Sequence, residues 1–350
     1  MLRDLQLRNF RCFEAIAAEF SLGFNFIVGA NGQGKTTLLE AACVLLRLQS
    51  QRAATLAPAV RAGERSFVVA GHVEGHLLQF YYSSLRRKVA FDGVEQRDLA
   101  EYLQLARVVS FANNDLDLIR GAAEPRRRYL DFIGSQVDPR YRPALRAYER
   151  ALRVRNALLK SPHPRPRELA AYSEPLVTAG RSLGEMRAAL VRRLGPTAER
   201  AHHAIGQGEV LALAYVPGNE EDFGAQLERV QAEDARLHLT TVGPHRDDLR
   251  LQVRGLPAAQ FASEGQQRTA ALALKLAQAQ LFAEETEAAP LLLIDDIFGE
   301  LDASRRNALL AALPNESQKL VTATSLDWRE AGSDGPVLKL ADGEIRRRNG

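Results

Sequence analysis

The sequence predicts an α/β protein, in which a mixed sheet surrounds a phosphate-binding loop, with an antiparallel subdomain beside it and a second lobe of helices. Three observations predict it. Phe24 to Val28 is a short apolar run, and Gly29-Ala30-Asn31-Gly32-Gln33-Gly34-Lys35-Thr36 after it fills the pattern G-x-x-x-x-G-K-[ST] position for position. Leu291 to Ile294 is a second apolar run, ending on the paired acids Asp295 and Asp296. Between them, from Glu124 to about Arg200, the chain turns helical and rich in arginine, alanine and leucine.

In chain order, Leu2 to Leu7 alternates apolar and polar and reads as a strand, with Ala15 to Phe20 a second after a turn at Asn9–Phe13. The leucines and alanines after Thr36 give a helix; Gln49 to Arg65 has no period and reads as an irregular connection. Ser66–Glu74, His76–Tyr82 and Arg87–Val94 form an antiparallel meander, with Asp92-Gly93 as a hairpin turn. Leu105–Phe111 is a buried strand, ending at Ala112 and the pair Asn113-Asn114.

Pro125 suits the first turn of a helix that runs from Arg126 to Val137, and Arg140–Leu159 is a longer helix. The proline cluster from Ser161 to Pro166 forces a reversal, and Arg167 to about Ala204 runs back. Sustained heptads are absent, so this is a helical stub and not a long coiled coil. Glu209–Val216 returns to strand, Glu220–Asp234 to helix, and Thr240–Leu249 is a loop entering the strand Leu249–Val253. Gly265–Glu284 is an alanine-rich helix, Ala303–Leu313 a helix, Lys319–Ala323 a strand, and Val337–Arg348 a terminal hairpin. The expected organisation is one lobe from 1–123 with 207–350, and a helical arm lobe from 124–206.

The 350 residues are 46% hydrophobic and 25% charged, an ordinary mix for a soluble chain with ample core. Since no apolar run approaches the roughly 20 residues of a membrane span, a membrane partner is not expected. The start, MLRDLQLRNF, has no signal-peptide core, so the expected location is the cytoplasm. Cys12 and Cys43 have neither metal-ligand spacing nor a disulfide framework and read as buried thiols. Net charge is only +3, but arginine is clustered.

The candidate chemistry lies in three places. Gly29, Ala30, Asn31, Gly32, Gln33, Gly34, Lys35, Thr36 and Thr37 form the nucleotide-binding loop, whose glycines let successive N–H groups point at phosphate oxygens where a helix dipole begins. Lys35 would reach the β- and γ-phosphates of ATP, and the Thr36 hydroxyl would sit on Mg²⁺. Asp295 would hold the same ion from the other side, and Asp296 would orient or deprotonate the attacking water, making Lys35, Asp295 and Asp296 the catalytic set. An apolar strand before a polar turn is common by itself; its weight comes from the glycine loop. Third, Ser263-Glu264-Gly265-Gln266-Gln267 opens a helix and offers a second anion-binding terminus, or else an ordinary cap. Gly299-Glu300-Leu301-Asp302 follows the paired acids. His245 is a lone loop histidine, to be read as structural before catalytic.

Arg126, Arg127, Arg128, Arg142, Arg146, Arg150 and Arg153 give the helical segment a positive excess, several on related helix faces. Such a face suits the phosphates of DNA, though a solvated arginine surface has the same composition. Arg86-Arg87-Lys88 and Arg346-Arg347-Arg348 are weaker candidates.

Six stretches, LRNFRCF, GANGQGKTT, NDLDLIRGAAEPRRRYLD, TVGPHRDDL, FASEGQQRTAALALKLAQ and LLLIDDIFGELD, together resemble the ATP-binding-cassette (ABC-type) ATPase fold. The variant resembles the heads of chromosome-maintenance and double-strand-break-repair ATPases (the SMC and Rad50 type), and within them the RecF family of bacterial recombination mediators. The resemblance implies that two copies sandwich two ATP molecules, with Ser263, Gly265 and Gln266 of one copy capping the γ-phosphate held by the other, and with Glu300, Leu301 and Asp302 coupling the sites. It implies a nucleotide contact from Arg11. It also implies DNA as ligand, duplex beside a single-stranded gap, with RecO and RecR as partners in loading a recombinase. Asn113 or Asn114 stands where such ATPases carry a glutamine, and Thr324 where many carry a histidine, so slow hydrolysis acting as a switch is expected. A transporter's nucleotide-binding subunit and a small-molecule P-loop kinase are the competing readings.

Overall fold

In a computed structural model that describes the chain apart from residues 54, 162–165, 207, 286–288, 330–333 and 349–350, the mixed sheet and the antiparallel meander both form around the helix that follows the glycine loop. The first elements are β1 (Asp4–Phe10), β2 (Phe13–Glu19), β3 (Phe24–Val28), α1 (Lys35–Arg47), β4 (Ser66–Val73), β5 (His76–Ser83), β6 (Arg87–Phe91), β7 (Val94–Glu95), α2 (Ala100–Gln104) and β8 (Val108–Phe111). Next come α3 (Asp117–Arg120), α4 (Ala123–Val137), α5 (Tyr141–Leu159), α6 (Pro166–Ile205), β9 (Leu211–Val216), α7 (Phe223–Arg229), α8 (Gln231–Leu237), β10 (Asp248–Val253), β11 (Leu256–Pro257), α9 (Ala258–Phe261) and α10 (Glu264–Glu285). Last are β12 (Leu291–Asp295), α11 (Ala303–Ala312), β13 (Lys319–Ala323), β14 (Val337–Ala341) and β15 (Glu344–Arg348).

The chain forms two compact units, one of Met1–Asn114 with Gln278–Gly350 and one of Asp115–Ala277. These bounds correct the expected arm of 124–206. Residues 207–277 belong with the helices because α6 lies on β9, α4 lies on β10, and the Tyr129 hydroxyl of α4 donates to the Leu274 carbonyl of α10 at 2.7 Å.

The first unit has two six-stranded sheets. One runs β2-β1-β4-β5-β6-β7 and is antiparallel throughout; Asp92 and Gly93, both at positive φ, make the expected tight turn. The other runs β15-β14-β3-β13-β12-β8 and is parallel except for β15. Helix α1 packs on β1, β4 and β5 of the first sheet and on β8, β12 and β13 of the second, which is why it is apolar nearly all round. In the parallel sheet the glycine loop, the paired acids, Asn113 and Thr324 all follow strand C-termini, the edge where such sheets bind ligands.

In the second unit α5 and α6 pack along each other over a core of Tyr141, Tyr148, Leu176, Leu183, Phe223 and Leu227, beside the antiparallel sheet β11-β10-β9. Helix α6 is continuous through Pro175 and Pro196. The expected helix 220–234 is two helices, α7 and α8. Most of the proline cluster lies outside the described residues, as do the side chains of Arg347 and Arg348. Cys43 is buried as expected, but Cys12 is exposed, because it sits in the tight turn between β1 and β2.

Candidate functional site

Each glycine of the loop has a local reason. Gly34 caps α1 at φ 98°, and a Cβ there would stand 2.5 Å from the Phe13 ring. Gly29 passes the Leu340 carbonyl of β14 so closely that a Cβ would lie 2.4 Å from its oxygen. The amide of Asp342, in the β14–β15 turn, donates to the Gln33 side chain at 3.0 Å. The buried Lys35 ammonium donates to the carbonyls of Gly29 (2.8 Å) and Ala30 (3.2 Å) and stands 3.8 Å from Asp296. The loop borders a cleft of about 600 Å³ lined by Arg11, Asn31, Gly32, Lys35, Thr36 and Asp296, among others.

The Thr36 hydroxyl donates to Asp295 at 2.9 Å, and Thr322 of β13 donates to the same oxygen at 2.7 Å. Asp296 follows in the left-handed region, φ 57°, its amide bonded to Thr322 at 3.0 Å. The hydroxyl and carboxylate oxygens here suit a hard cation. Among the described residues no group of three or more His, Cys, Asp or Glu could hold a metal ion.

Asn113 donates to Glu300 at 2.5 Å, so the segment after β8 is tied to the segment after the paired acids. Leu301 is buried, whereas Asp302 caps α11, accepting from the Arg305 amide at 2.9 Å. That amide, with the Arg305 charge, holds the Asp302 carboxyl below its ordinary range. Asn114 and Thr324 are exposed at the same sheet edge.

Arg11 lines the cleft, but its Nε and Nη2 form a fork on Glu40 (3.0 and 2.7 Å), and Nη1 donates to the Pro58 carbonyl at 2.8 Å. Sequence reasoning missed Glu40, together with Arg52 and Ser50, which share its carboxylate. A signal was present: a lone acid among the apolar residues of a buried helix needs a cationic partner.

In the second unit Ser263 and Gln266 form a reciprocal capping box: the Ser263 hydroxyl accepts from the Gln266 amide at 3.3 Å and Gln266 accepts from the Ser263 amide at 2.7 Å. Ser263 and Glu264 stay exposed. Gln267 is a correction. It is buried and donates to the carbonyls of Ala258 (3.1 Å) and Ala262 (3.0 Å), so it fastens α9 to α10 and presents nothing to a ligand.

Two of the expected DNA-contacting arginines are engaged within the fold. Arg126 makes a bidentate pair with Asp248 (2.6 and 3.0 Å) and donates to the Gly121 carbonyl, and Arg127 donates to the Asp247 carbonyl at 2.9 Å. Arg128 is exposed beside Glu124. Arg146, Arg150 and Arg153 are exposed on α5; with the half-buried Arg142 they fall within roughly 80° of arc at ~100° per residue. Their neighbour Arg155 is buried on Asp234 and Thr240 instead.

His245 has a structural setting. Its Nε2 faces the Thr240 carbonyl at 2.9 Å and so donates, which leaves Nδ1 to accept from the Tyr148 hydroxyl at 2.7 Å. Burial, reinforced by Arg246 and Arg127, lowers its pKa. Next to it, Asp247 accepts from Arg187, Tyr215 and the Gly218 amide, a buried network that sequence reasoning missed because its members lie on separate elements.

The chain matches the family described as "RecF/RecN/SMC N terminal domain" over residues 1–333. It is 39% identical to a DNA replication and repair protein RecF of Symbiobacterium thermophilum, covering 98% of this chain and 97% of that one. It is 33% identical to the protein so described in Lactococcus lactis subsp. cremoris, covering 99% of each. A solved structure of the recombination mediator protein RecF-ATPrS in the RecFOR pathway is similar with a TM-score of 0.89 at 28% identity, covering 99% of this chain and 98% of that one. An SmcHead bound to the C-winged helix domain of ScpA, 16% identical with a TM-score of 0.56 over 99% of this chain and 97% of its own, shares the fold alone. Both the family match and the identity to relatives extend over nearly the whole chain, so the chain belongs to the RecF family, with the ABC-type ATPase head fold that SMC heads share.

Proposed function

We propose that this is an ATP-dependent DNA-binding protein of recombinational DNA repair, acting in the cytoplasm as an ATP-induced homodimer. The observation that carries the reading is the meeting of Thr36 and Asp295 at 2.9 Å beside the Lys35 loop, a hydroxyl and a carboxylate placed for a metal-bound triphosphate. RecF relatives described as DNA replication and repair proteins, and a RecF-ATP structure of the RecFOR pathway, support it.

In this reading the amides of Gly29 to Thr37 and the Lys35 ammonium bind the phosphates, and Thr36 and Asp295 hold Mg²⁺. The ion, when bound, neutralises charge on the phosphate oxygens. Asp296, at the strand end, orients the attacking water and takes its proton. Asn113 and Thr324 offer a weaker set of polar contacts than glutamine and histidine, so hydrolysis is slow and serves to release the complex. Ser263, Glu264 and Gly265 of a second copy, with the amide of Gln266, present a helix N-terminus to the γ-phosphate; ADP lacks that group, so only ATP favours the dimer. Glu300, Leu301 and Asp302 couple the two sites. Arg128, Arg142, Arg146, Arg150 and Arg153 contact duplex DNA at a gap or junction, and RecO and RecR are the partners in recombinase loading. Family membership leaves the transporter-subunit and kinase readings without support.

The test is sedimentation with saturating non-hydrolysable ATP analogue, with and without DNA, for wild type and Ser263→Arg. A wild-type dimer and a nucleotide-binding but monomeric variant are expected. A wild-type chain that stays single at high concentration under all these conditions would overturn the dimer mechanism.

A further inference from the structure

We propose that Glu40 is a positioning residue of the nucleotide site, whose buried carboxylate sets the Arg11 guanidinium for phosphate. The proposal rests on the reading of the cleft as a triphosphate site and adds a residue that acts there only through another.

Glu40 lies on α1, between Leu39 and Ala41, with no exposed surface. An ionised carboxylate so placed is strongly disfavoured unless its charge is matched and its lone pairs are filled. Three side chains do this: Arg11 with its two-bond fork, Arg52 at 3.3 Å, and the Ser50 hydroxyl at 2.6 Å. Both arginines line the cleft that also holds Lys35 and Thr36. The buried acid therefore sits behind two cations of the cleft into which a polyanion would enter.

Geometry separates the two cations. Arg11 has three of its five N–H donors fixed, two on Glu40 and one on the Pro58 carbonyl; one donor on each of Nη1 and Nη2 remains. Its backbone sits at φ 54° in a tight turn, so the long side chain takes its direction from the carboxylate and not from a helix or strand. A fork of two parallel bonds fixes the plane of the guanidinium as well as its position. Arg52 keeps one longer bond and a side chain 44% exposed, and is much less constrained. Glu40 thus holds Arg11 in one orientation before nucleotide arrives, so less ordering is left to do on binding.

Positioning and plain charge predict opposite signs, and this makes the proposal testable. Glu40→Gln keeps the side-chain shape but removes one negative charge from beside a site for a polyanion. If Glu40 acted by charge alone, that variant would bind ATPγS more tightly, and Glu40→Asp would match wild type. As a positioning residue, Glu40→Gln loses the charge-assisted fork and binds more weakly, on the order of tenfold, as one such bond is worth. Glu40→Asp keeps the charge but withdraws the fork by one methylene, and also weakens binding.

The experiment is calorimetric titration of the full chain with Mg²⁺ and ATPγS, without DNA, for wild type, Glu40→Gln, Glu40→Asp, Arg11→Ala and the Arg11→Ala/Glu40→Gln pair, with melting temperatures alongside. Weaker binding by the Glu40 variants, with the pair no weaker than Arg11→Ala alone, supports the proposal. Unchanged or tighter binding by Glu40→Gln, or an additive pair, overturns it. Wild-type affinity in Arg11→Ala instead overturns the reading of Arg11 itself. Should Glu40→Gln not fold, Glu40→Asp decides: weakened binding supports positioning and wild-type affinity excludes it.

Discussion

Thr36 and Asp295 are separated by 259 residues and joined by a 2.9 Å hydrogen bond. The first belongs to the helix after the glycine loop, the second to the end of β12, and β13 lies between β12 and β3 in the sheet. Parallel pairing across those three strands is what brings the two side chains to one edge. Thr322, from the intervening strand, fixes Asp295 from the other side.

Asp295→Asn is expected to separate chemistry from folding. The amide oxygen can still accept from Thr36 and Thr322, so the melting temperature should change little. The lost negative charge should lower Mg²⁺-dependent phosphate release by roughly 100-fold, the usual scale for removing a group that stabilises transition-state charge. Phosphate release across a Mg²⁺ titration checks it; wild-type rates would remove Asp295 from the metal site.

Gly32 and Gly34 both have positive φ, 82° and 98°, but differ in surroundings. A Cβ on Gly32 meets nothing within 4 Å, whereas one on Gly34 runs into the Phe13 ring and the Cys12 sulfur. Gly32→Ala should therefore cost only left-handed backbone strain, ~1–2 kcal/mol. Gly34→Ala should cost more and displace the turn that carries Arg11. Denaturant melts with ATPγS titration would show it, and equal effects of the two substitutions would contradict it.

What was legible in the sequence was local. The glycine loop, the apolar strands and the meander are written in periods and turns of a few residues, and the folded chain keeps them. Less legible was whatever depended on a distant partner. Arg126 reads as one of three consecutive cations, yet its bidentate bond to Asp248 takes it out of any binding face. Gln267 reads as part of a ligand-binding helix start, but the carbonyls of α9 use its amide. Glu40 stands as a lone acid in an apolar helix, and the β1–β2 turn, distant in sequence, delivers the Arg11 that matches it. The unit boundary shifted for the same reason, since 207–277 has strands like the first unit but packs with the helices.

The arginines of α5 should therefore behave differently from Arg126. Replacing Arg146, Arg150 and Arg153 by alanine removes three exposed cations, so the melt should change little. If all three meet DNA phosphates, the slope of log affinity against log salt should fall by about 2.7, at ~0.9 per contact. Arg126→Ala removes the bidentate pair and leaves the part-buried Asp248 only the Leu249 amide, so it should destabilise the fold by about 2 kcal/mol. A triple variant with an unaltered salt slope would place the DNA elsewhere.

His245 sets a pH limit on the second unit. Burial, with Arg246 and Arg127 nearby, lowers its pKa below the ordinary 6.5, so the folded chain prefers the neutral ring. A base depressed on folding contributes stability that is complete above its unfolded value and declines as pH falls through the folded one. The unfolded chain then takes up the proton that the folded chain resists. Between about pH 7 and about pH 5 the wild-type melting temperature should fall, a range in which histidine is the side chain that ordinarily titrates. His245→Gln can still donate to the Thr240 carbonyl but carries no titrating proton. It should melt lower than wild type at neutral pH, and its curve should be flatter on acidification. Thermal melts of both proteins across that range provide the comparison, and parallel curves would mean that some other group governs acid sensitivity.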